Sequence, residues 1–594
     1  MMRTHTNNEL KKDNIKEEVK LCGWVQSRRD HGGVIFIDLR DKYGLTQIVF
    51  DPRHNKNTHA AAEKLRREWV VSVSGKVRDR KEGMVNPKLI TGEIEIIVDD
   101  IEILNESLTP PFEVENNIET NEDIRHEYRY IDLRRPINQE RLLVRHKILT
   151  SARAFLNKNN FLEIETPCLI KSTPEGAKDY IVPSSTHNGY AYSLPQSPQL
   201  YKQLLMAGGC DRYYQMARCF RDEDNRADRQ PEFTQIDLEM SFVDQSDIIE
   251  LGNNLYKEIF KACGKKLSGK IEIVSYSECM NKWGTDKPDM RFGLEFIDVS
   301  DIVNKSDFSV FNDAINNDGV VKCINVKGAA QQMSRKEIDK LIEFVISAGG
   351  KGLAWMKYIE GEFQSSVVKF FNEDVLNELK KSVDASNGDL ILFIADKLKR
   401  TNNVLDQLRC KLGKDLKLYS DDEYRALWVV DYPLFEMTDE GKIEACHHPF
   451  SMPKAEDLKL LDKDPLKVTA TLYDFVINGY EVHSGSIRIH DPKIQKKVFD
   501  IIGMSKEEVE NKFGFLLKAF SYGAPPHGGF AAGVERLVMI ICGSDNIKDV
   551  IAFPKNKNKE NPMDHSPSLI EKAALVDLGL DLNNQTKAQL KKKG

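Results

Sequence analysis

Between Cys219 and Asp237 the chain reads Cys219-Phe220-Arg221-Asp222-Glu223-Asp224, then Arg226, Arg229 and Gln230, then Pro231-Glu232-Phe233-Thr234-Gln235-Ile236-Asp237. Arginines alternate with carboxylates in a polar stretch flanked by apolar runs. Two strands joined by a charged loop would aim guanidiniums at phosphate oxygens, which suit the planar donor fork of arginine. A salt-bridged surface hairpin accounts for the same stretch equally well. A second stretch, Gly523-Ala524-Pro525-Pro526-His527-Gly528-Gly529-Phe530-Ala531-Ala532-Gly533-Val534-Glu535-Arg536-Leu537, gathers glycines ahead of an apolar helix expected over 533–541. Glycine lets the backbone approach a ligand closely, and Arg536 in the first helical turn would reach the same pocket. A plain turn before a core helix leaves that clustering unexplained. A third stretch, Phe161-Leu162-Glu163-Ile164-Glu165-Thr166-Pro167, follows a long helical pattern over 138–157 and is stopped by proline, an arrangement that serves dimer interfaces.

These stretches need elements to hold them. Residues 20–25, 34–39, 46–50, 70–77 and 93–103 are rich in Val, Ile and Phe, several with alternation, and turn signals separate them. A helical stretch over 60–68 falls after the third. That order is the order of an OB-fold barrel, whose open face commonly binds single-stranded nucleic acid; any small β-barrel shares it. Thr109-Pro110-Pro111-Phe112 and the acidic run after it mark a linker. From about 291 the texture changes to short strands (320–326, 390–394) and helices (334–347, 396–411) without arginine-dense motifs, as in an inserted α/β domain. The division expected is 1–108 barrel, 109–130 linker, 131–290 first catalytic part, 291–422 insertion, 423–555 second catalytic part and 556–594 extension.

With 594 residues, 41% hydrophobic and 30% charged, the chain has material for several cores and is not a disordered polymer. No apolar run approaches the ~20 residues of a membrane-spanning helix, and the N-terminal residues show no secretory pattern. Ten scattered cysteines without a C-x-x-C pair fit reduced thiols in a cytoplasmic protein. The net charge of −7 still permits a nucleic-acid enzyme with a local basic patch.

In their order the three stretches resemble the three motifs of class II aminoacyl-tRNA synthetases, and the chain from about 3 to 568 resembles the bacterial-type aspartyl-tRNA synthetases. Supporting strings are Cys22-Gly23-Trp24-Val25, Phe36-Ile37-Asp38-Leu39-Arg40-Asp41, Thr173-Pro174-Glu175-Gly176-Ala177, Leu194-Pro195-Gln196-Ser197-Pro198-Gln199-Leu200 and His447-His448-Pro449-Phe450. The resemblance implies an α+β multidomain fold: an N-terminal OB-fold barrel, an antiparallel-sheet catalytic domain and an insertion between the second and third motifs. It implies a cytoplasmic homodimer that joins L-aspartate to ATP, releasing pyrophosphate, and passes aspartate to tRNA(Asp). It also implies roles. Arg221 clamps the α-phosphate, and Arg221 and Arg536 are the catalytic pair. Asp222, Glu223, Gln230, Phe233, Glu481, Gly533, Val534, Glu535 and Arg536 border ATP, with Phe233 and Arg536 bracketing adenine. Asp474 and Glu481 hold Mg2+. Lys202 and Arg488, with His447 nearby, read the substrate's side-chain carboxylate, and Glu175, Gln199 and Asp237 accept from its ammonium.

On the barrel the resemblance implies that Phe36 stacks an anticodon base while Arg29, Gln47 and Glu95 bond base edges; from the residues alone, Phe36 reads as a barrel-core aromatic. His31 and Gly83 resemble members that charge both tRNA(Asp) and tRNA(Asn), which implies a partner amidotransferase to finish the second product. The alternatives are an enzyme charging tRNA(Asp) only, one charging asparagine or lysine, and a non-catalytic tRNA-binding paralogue. Two departures stand out. Asn160 replaces the usual glycine before the first-motif strand, and His483 and Ser484 replace a glycine run after Glu481.

Overall fold

The computed structural model describes residues 2–593 apart from Glu82, Pro174, Glu175 and Asn225, with the side chains at 588 and 590–593 also outside the description. In chain order the strands are β1 Glu18–His31, β2 Val34–Arg40, β3 Leu45–Phe50, β4 Val70–Asp79, β5 Ile94–Asn105, β6 Leu162–Glu163, β7 Ile181–Pro183, β8 Ala191–Ser193, β9 Arg212–Phe220, β10 Glu232–Ser241 and β11 Glu272–Ser275. They continue with β12 Phe296–Asp298, β13 Val320–Val326, β14 Ala354–Ile359, β15 Glu362–Gln364, β16 Asp389–Asp396, β17 Ala426–Val430, β18 Phe435–Met437, β19 Ile443–Ala445, β20 Leu472–Ile477, β21 Tyr480–Ile487 and β22 His527–Gly533.

β1 to β5 close a barrel in the order β1-β2-β3-β5-β4. Alternation decides what fills it: Ile35, Ile37 and Leu39 of β2 are fully buried and join Leu21, Ile48, Val71 and Ile96 in one core. Phe36 falls between the inward pair and is only half-buried, so it belongs to the outer face and not to the core. The helix after β3 spans Lys56–Lys64, earlier than the pattern suggested, because the Asn55 side chain accepts from the N–H groups of Asn57 and Thr58 and starts it there.

The catalytic sheet has eight strands in the order β11-β17-β20-β21-β22-β10-β9-β6. Only its two outer pairs, β11 with β17 and β6 with β9, run parallel. The glycine stretch ahead of the helix Val534–Ile541 is the strand β22 and not a turn. It lies between β21 and β10, and a Cβ on Gly529 would come within 2.0 Å of the Leu238 carbonyl oxygen. Gly528 and Gly529 admit neighbouring strands, whereas Gly533 lines the cleft and its built Cβ would meet only the Arg536 Cβ, at 3.8 Å.

The helix Pro136–Lys158 precedes a turn in which Asn160 takes φ +63°, the conformation glycine would otherwise supply. Strands β12 to β16 form a separate sheet in the order β12-β13-β16-β14-β15, every pair antiparallel. By compactness the chain divides into residues 1–143 with 548–568, and 144–547 with 569–594. The segment 548–568 therefore belongs with the N-terminal unit: Arg129 donates to the carbonyls of Ile551 and Ala552 at 2.7 and 2.9 Å. Among the described residues no helix is long and apolar enough to cross a membrane.

Candidate active site

β9 and β10 pair from Glu232 opposite Phe220 to Met240 opposite Arg212, so the charged loop between them is the tip of a hairpin. Side chains alternate along a strand, which puts Phe233, Gln235, Asp237 and Glu239 on one face of β10 and buries Ile236 and Leu238 on the other. An open cleft of about 180 Å³ lies at one end of the polar face. Arg221, Glu223, Gln230 and Phe233 line it from the hairpin, Glu481 from β21, and Gly533, Glu535 and Arg536 from the start of the last-motif helix. Asp222 and Val534 do not line it. The Asp222 N–H bonds the Lys178 carbonyl at 3.0 Å, and Val534 is fully buried.

The cleft's arginines differ in how their charge is met. Arg229 pairs with Glu223. Arg536 donates to Asp228 at 3.1 Å and to the Glu481 carbonyl. Arg221 donates to the Gln196 carbonyl at 3.3 Å and lies over the Phe233 ring, 5.1 Å from its centroid; among the described residues no carboxylate pairs with it. Phe233 and Arg536 both line the cleft, and Arg221 is the cation that lies over the Phe233 ring. Glu535 has a structural engagement: it accepts from the Thr234 N–H at 3.0 Å and from Arg145 at 2.8 Å.

Further along the same face, Lys202 on the helix Gln199–Ala207 meets Asp237 at 2.8 Å and Glu239 at 3.1 Å. Arg488 bonds Glu239 at 2.9 Å and Ser486 at 2.9 Å. Lys202 and Arg488 are buried with both carboxylates, and among the described residues the Gln199 amide nitrogen has no partner. Burial pushes the Asp237 carboxyl up to about 6. Burial would raise Glu239 too, but Arg488 and then Lys202 hold it down to about 2. Glu239 was not foreseen. The signal was there in the alternation of polar residues at 233, 235, 237 and 239 around Ile236 and Leu238.

His447 stands apart from this group. Its ring packs edge-on against Tyr432, its ligand atoms lie within 4.8 Å of those of Asp286 and Asp474, and Glu481 is the carboxylate that acts on it most strongly. The imidazole near the two cations is the next one, His448: burial, then Arg488 and Lys202, depress it to about 3, so it is neutral. Asp474 is buried on β20. Tyr432 donates to its Oδ2 at 2.9 Å while Oδ1 has no partner among the described residues, and burial followed by the Glu481 carboxylate pushes its carboxyl well above the usual range. A divalent cation relieves such an arrangement, so Asp474 and Glu481 fit one. His483 borders the cleft beside Glu481 but is buried. Its ring stacks on Phe530 at 3.9 Å, and its Nδ1 shares a hydrogen bond with the Tyr256 hydroxyl at 2.5 Å. Glu175 lies outside the described residues.

Residues 121–557 match the family of class II tRNA synthetases (D, K and N), and residues 19–104 match the OB-fold nucleic acid binding domain. The chain belongs to the class II tRNA synthetases. The synthetase is 51% identical over 583 residues to an aspartate–tRNA(Asp/Asn) ligase of Desulfatibacillum aliphaticivorans, across 98% of each chain. It is 50% identical over 586 residues to an aspartate–tRNA ligase of Bacillus licheniformis, across 98% of this chain and 99% of that one. Among solved structures, asparaginyl-tRNA synthetase from Pyrococcus horikoshii complexed with asparaginyl-adenylate superposes with a TM-score of 0.58 at 20% identity, covering 93% of this chain and 98% of that one. At that identity the likeness concerns the fold.

On the synthetase's barrel the structure brings Arg29, Phe36, Gln47 and Glu95 together. Arg29 stands opposite Phe36 in the β1–β2 register, and Asp38 opposite Gln47 in the β2–β3 register. Arg29 donates to Asp38 at 2.9 Å and Gln47 to Glu95 at 2.9 Å, while Arg78 holds the other Glu95 oxygen at 2.8 Å. Arg80 is an unforeseen neighbour: it is buried, bonds the Ile94 carbonyl at 3.0 Å and among the described residues has no partner for Nη2. His31 closes β1 with its ring edge-on to Phe36 at 6.1 Å. Gly83 takes φ +79° with nothing within 4 Å of where a Cβ would stand.

Proposed function

We propose that the synthetase activates L-aspartate with ATP and transfers it to the 3′ end of tRNA(Asp) and tRNA(Asn). The observation that carries the amino-acid choice is the buried Lys202–Arg488 pair at the far end of the cleft's polar face. An aspartate side chain brings a carboxylate to those donors. Asparagine brings a neutral amide and loses that complementarity. The ammonium group meets acceptors at Asp237 and Gln199. With the amino acid so oriented, its α-carboxylate attacks the α-phosphorus of ATP; an oxygen–phosphorus bond forms, the bond to the β-phosphate oxygen breaks and pyrophosphate leaves. Arg221, with no carboxylate paired to it among the described residues, faces the negative charge that builds on the α-phosphate. Gln230, Glu223 and Arg536 border the nucleotide. Asp474 and Glu481 would hold Mg2+, which supplies positive charge to phosphate oxygens when bound. Aspartate-dependent exchange of labelled pyrophosphate into ATP, with asparagine as control, tests this step. Exchange with asparagine equal to that with aspartate overturns it.

An acceptor role for Asp237 requires the ionised form. With its carboxyl at about 6, kcat/KM for aspartate in pyrophosphate exchange should fall about tenfold per pH unit below that value, while KM for ATP stays level. A profile flat to pH 5 would remove Asp237 from ammonium binding.

For tRNA, the reading places anticodon bases on the face that holds Phe36, Arg29, Gln47 and Glu95, with single-stranded readout by stacking and edge bonding. His31 touches the proposed stacking residue, which supports a role in choosing between the two tRNAs. Purified tRNA(Asp) and tRNA(Asn) transcripts should be aspartylated with kcat/KM values within about tenfold of each other, a difference of about 1.4 kcal/mol. Charging of tRNA(Asp) alone would favour the strict alternative. The relaxed reading implies an amidotransferase acting on the second product, and the helix Pro136–Lys158 with β6 is the proposed homodimer face.

A further inference from the structure

Asp286 was no part of the expected site. It lies in the connection between the helix Tyr276–Lys282 and β12, where the chain leaves the catalytic sheet for the smaller five-stranded one. Its carboxylate, the His447 imidazole and the Asp474 carboxylate nevertheless present ligand atoms all within 4.8 Å of one another. Two donors each about 2.1 Å from one ion stand at most about 4.2 Å apart, so small side-chain rotations would close the set. The deepest member, Asp474, is 1% exposed, and among the described residues its Oδ1 has no hydrogen-bond partner. A buried carboxylate oxygen left unpaired calls for a cation. Tyr432 braces two of the three: its hydroxyl donates to Asp474 at 2.9 Å and its ring packs against His447 at 4.7 Å. Asp286 is half-buried and His447 exposed, so the group runs from solvent to interior and leaves an entry path.

We propose that Asp286, His447 and Asp474 form a divalent-cation site of mixed oxygen and nitrogen donors that takes Mn2+ ahead of Mg2+. Mg2+ favours oxygen ligands alone and keeps much of its water, whereas an imidazole beside two carboxylates suits a later first-row ion. The site shares Asp474 with the Asp474–Glu481 pair and so extends the metal part of the proposed function. Its test needs no ligase activity, and the two readings therefore fail separately.

The test is a titration of the full-length chain with Mn2+ alone, without ATP, followed by the electron paramagnetic resonance signal of free Mn2+. Wild type should bind one ion. Asp286→Asn should weaken binding by about tenfold or more with its circular dichroism retained, and Glu481→Gln by less than threefold. Unchanged affinity in folded Asp286→Asn, or a larger loss in Glu481→Gln than in Asp286→Asn, overturns the assignment. Should Asp286→Asn fail to fold, wild type decides. Electron spin-echo spectra of its bound Mn2+ should carry 14N modulation from a coordinated imidazole, and spectra without it overturn the proposal.

Discussion

Arg221→Ala should lower kcat for aspartate-dependent pyrophosphate exchange by two to three decades, about 3–4 kcal/mol of barrier, with little change in thermal unfolding. The reason lies in how the cleft's cations are spent. Arg229 is met by Glu223 and Arg536 by Asp228. Arg221 instead has a carbonyl at 3.3 Å and an aromatic face at 5.1 Å. Both orient a guanidinium and neither neutralises it. An arginine held in place with its charge uncompensated acts on charge that develops in the transition state, so the loss belongs in kcat. Its folding contribution is small, because among the described residues no buried carboxylate loses a partner when it goes. Arg221→Lys keeps the charge but not the planar fork, and should recover about one decade. If Arg221→Ala raised KM for ATP and left kcat unchanged, Arg221 would be a ground-state binding residue and the reading of the cleft would fail.

The parts of the site that were legible in the sequence are those carried by one short segment. Alternating arginines and acids around Pro231 announced a charged hairpin, and the β9–β10 pair is that hairpin. Alternation in β2 placed Ile35, Ile37 and Leu39 inside the barrel, and the same rule puts Phe36 outside, against its reading as a core aromatic. The glycine stretch was read as room for a ligand, which Gly533 at the cleft fits; that Gly529 instead admits a neighbouring strand shows only in the packed sheet, where the Leu238 carbonyl lies 2.0 Å from a Cβ built on it. The helix after β3 was placed too late because its start is set by the Asn55 cap and not by the alanines that follow. Asp286 and His448 could not be found from spacing. Their neighbours come from β20, Lys202 and Arg488, segments dozens to hundreds of residues away, and only the packed sheet brings them near.

Glu239 should prove the largest single contributor to the amino-acid pocket's stability. It is fully buried between Lys202 at 3.1 Å and Arg488 at 2.9 Å. Glu239→Ala leaves both cations with Asp237 as their one remaining carboxylate among the described residues. Breaking a buried charge pair from one side costs about 3–5 kcal/mol, and the variant should unfold at correspondingly lower denaturant. Glu239→Gln separates charge from shape. It keeps an acceptor for Arg488 and fills the same volume, so it should lose less stability, yet it weakens the hold on Arg488 and should raise KM for aspartate more than KM for ATP. The pH dependence gives an independent check. Glu239 is held at about 2 against an ordinary value of 4.5, so its ionised form stabilises the fold above pH 4.5. That contribution, about 3 kcal/mol, is lost as pH falls through 4.5 towards 2. Glu239→Gln lacks this acid limb, and its stability should change less than wild type across that window. Equal slopes in the two proteins would mean that Lys202 and Arg488 do not hold Glu239 as an ion, and that the pocket's two cations are oriented by Asp237 and Ser486 instead.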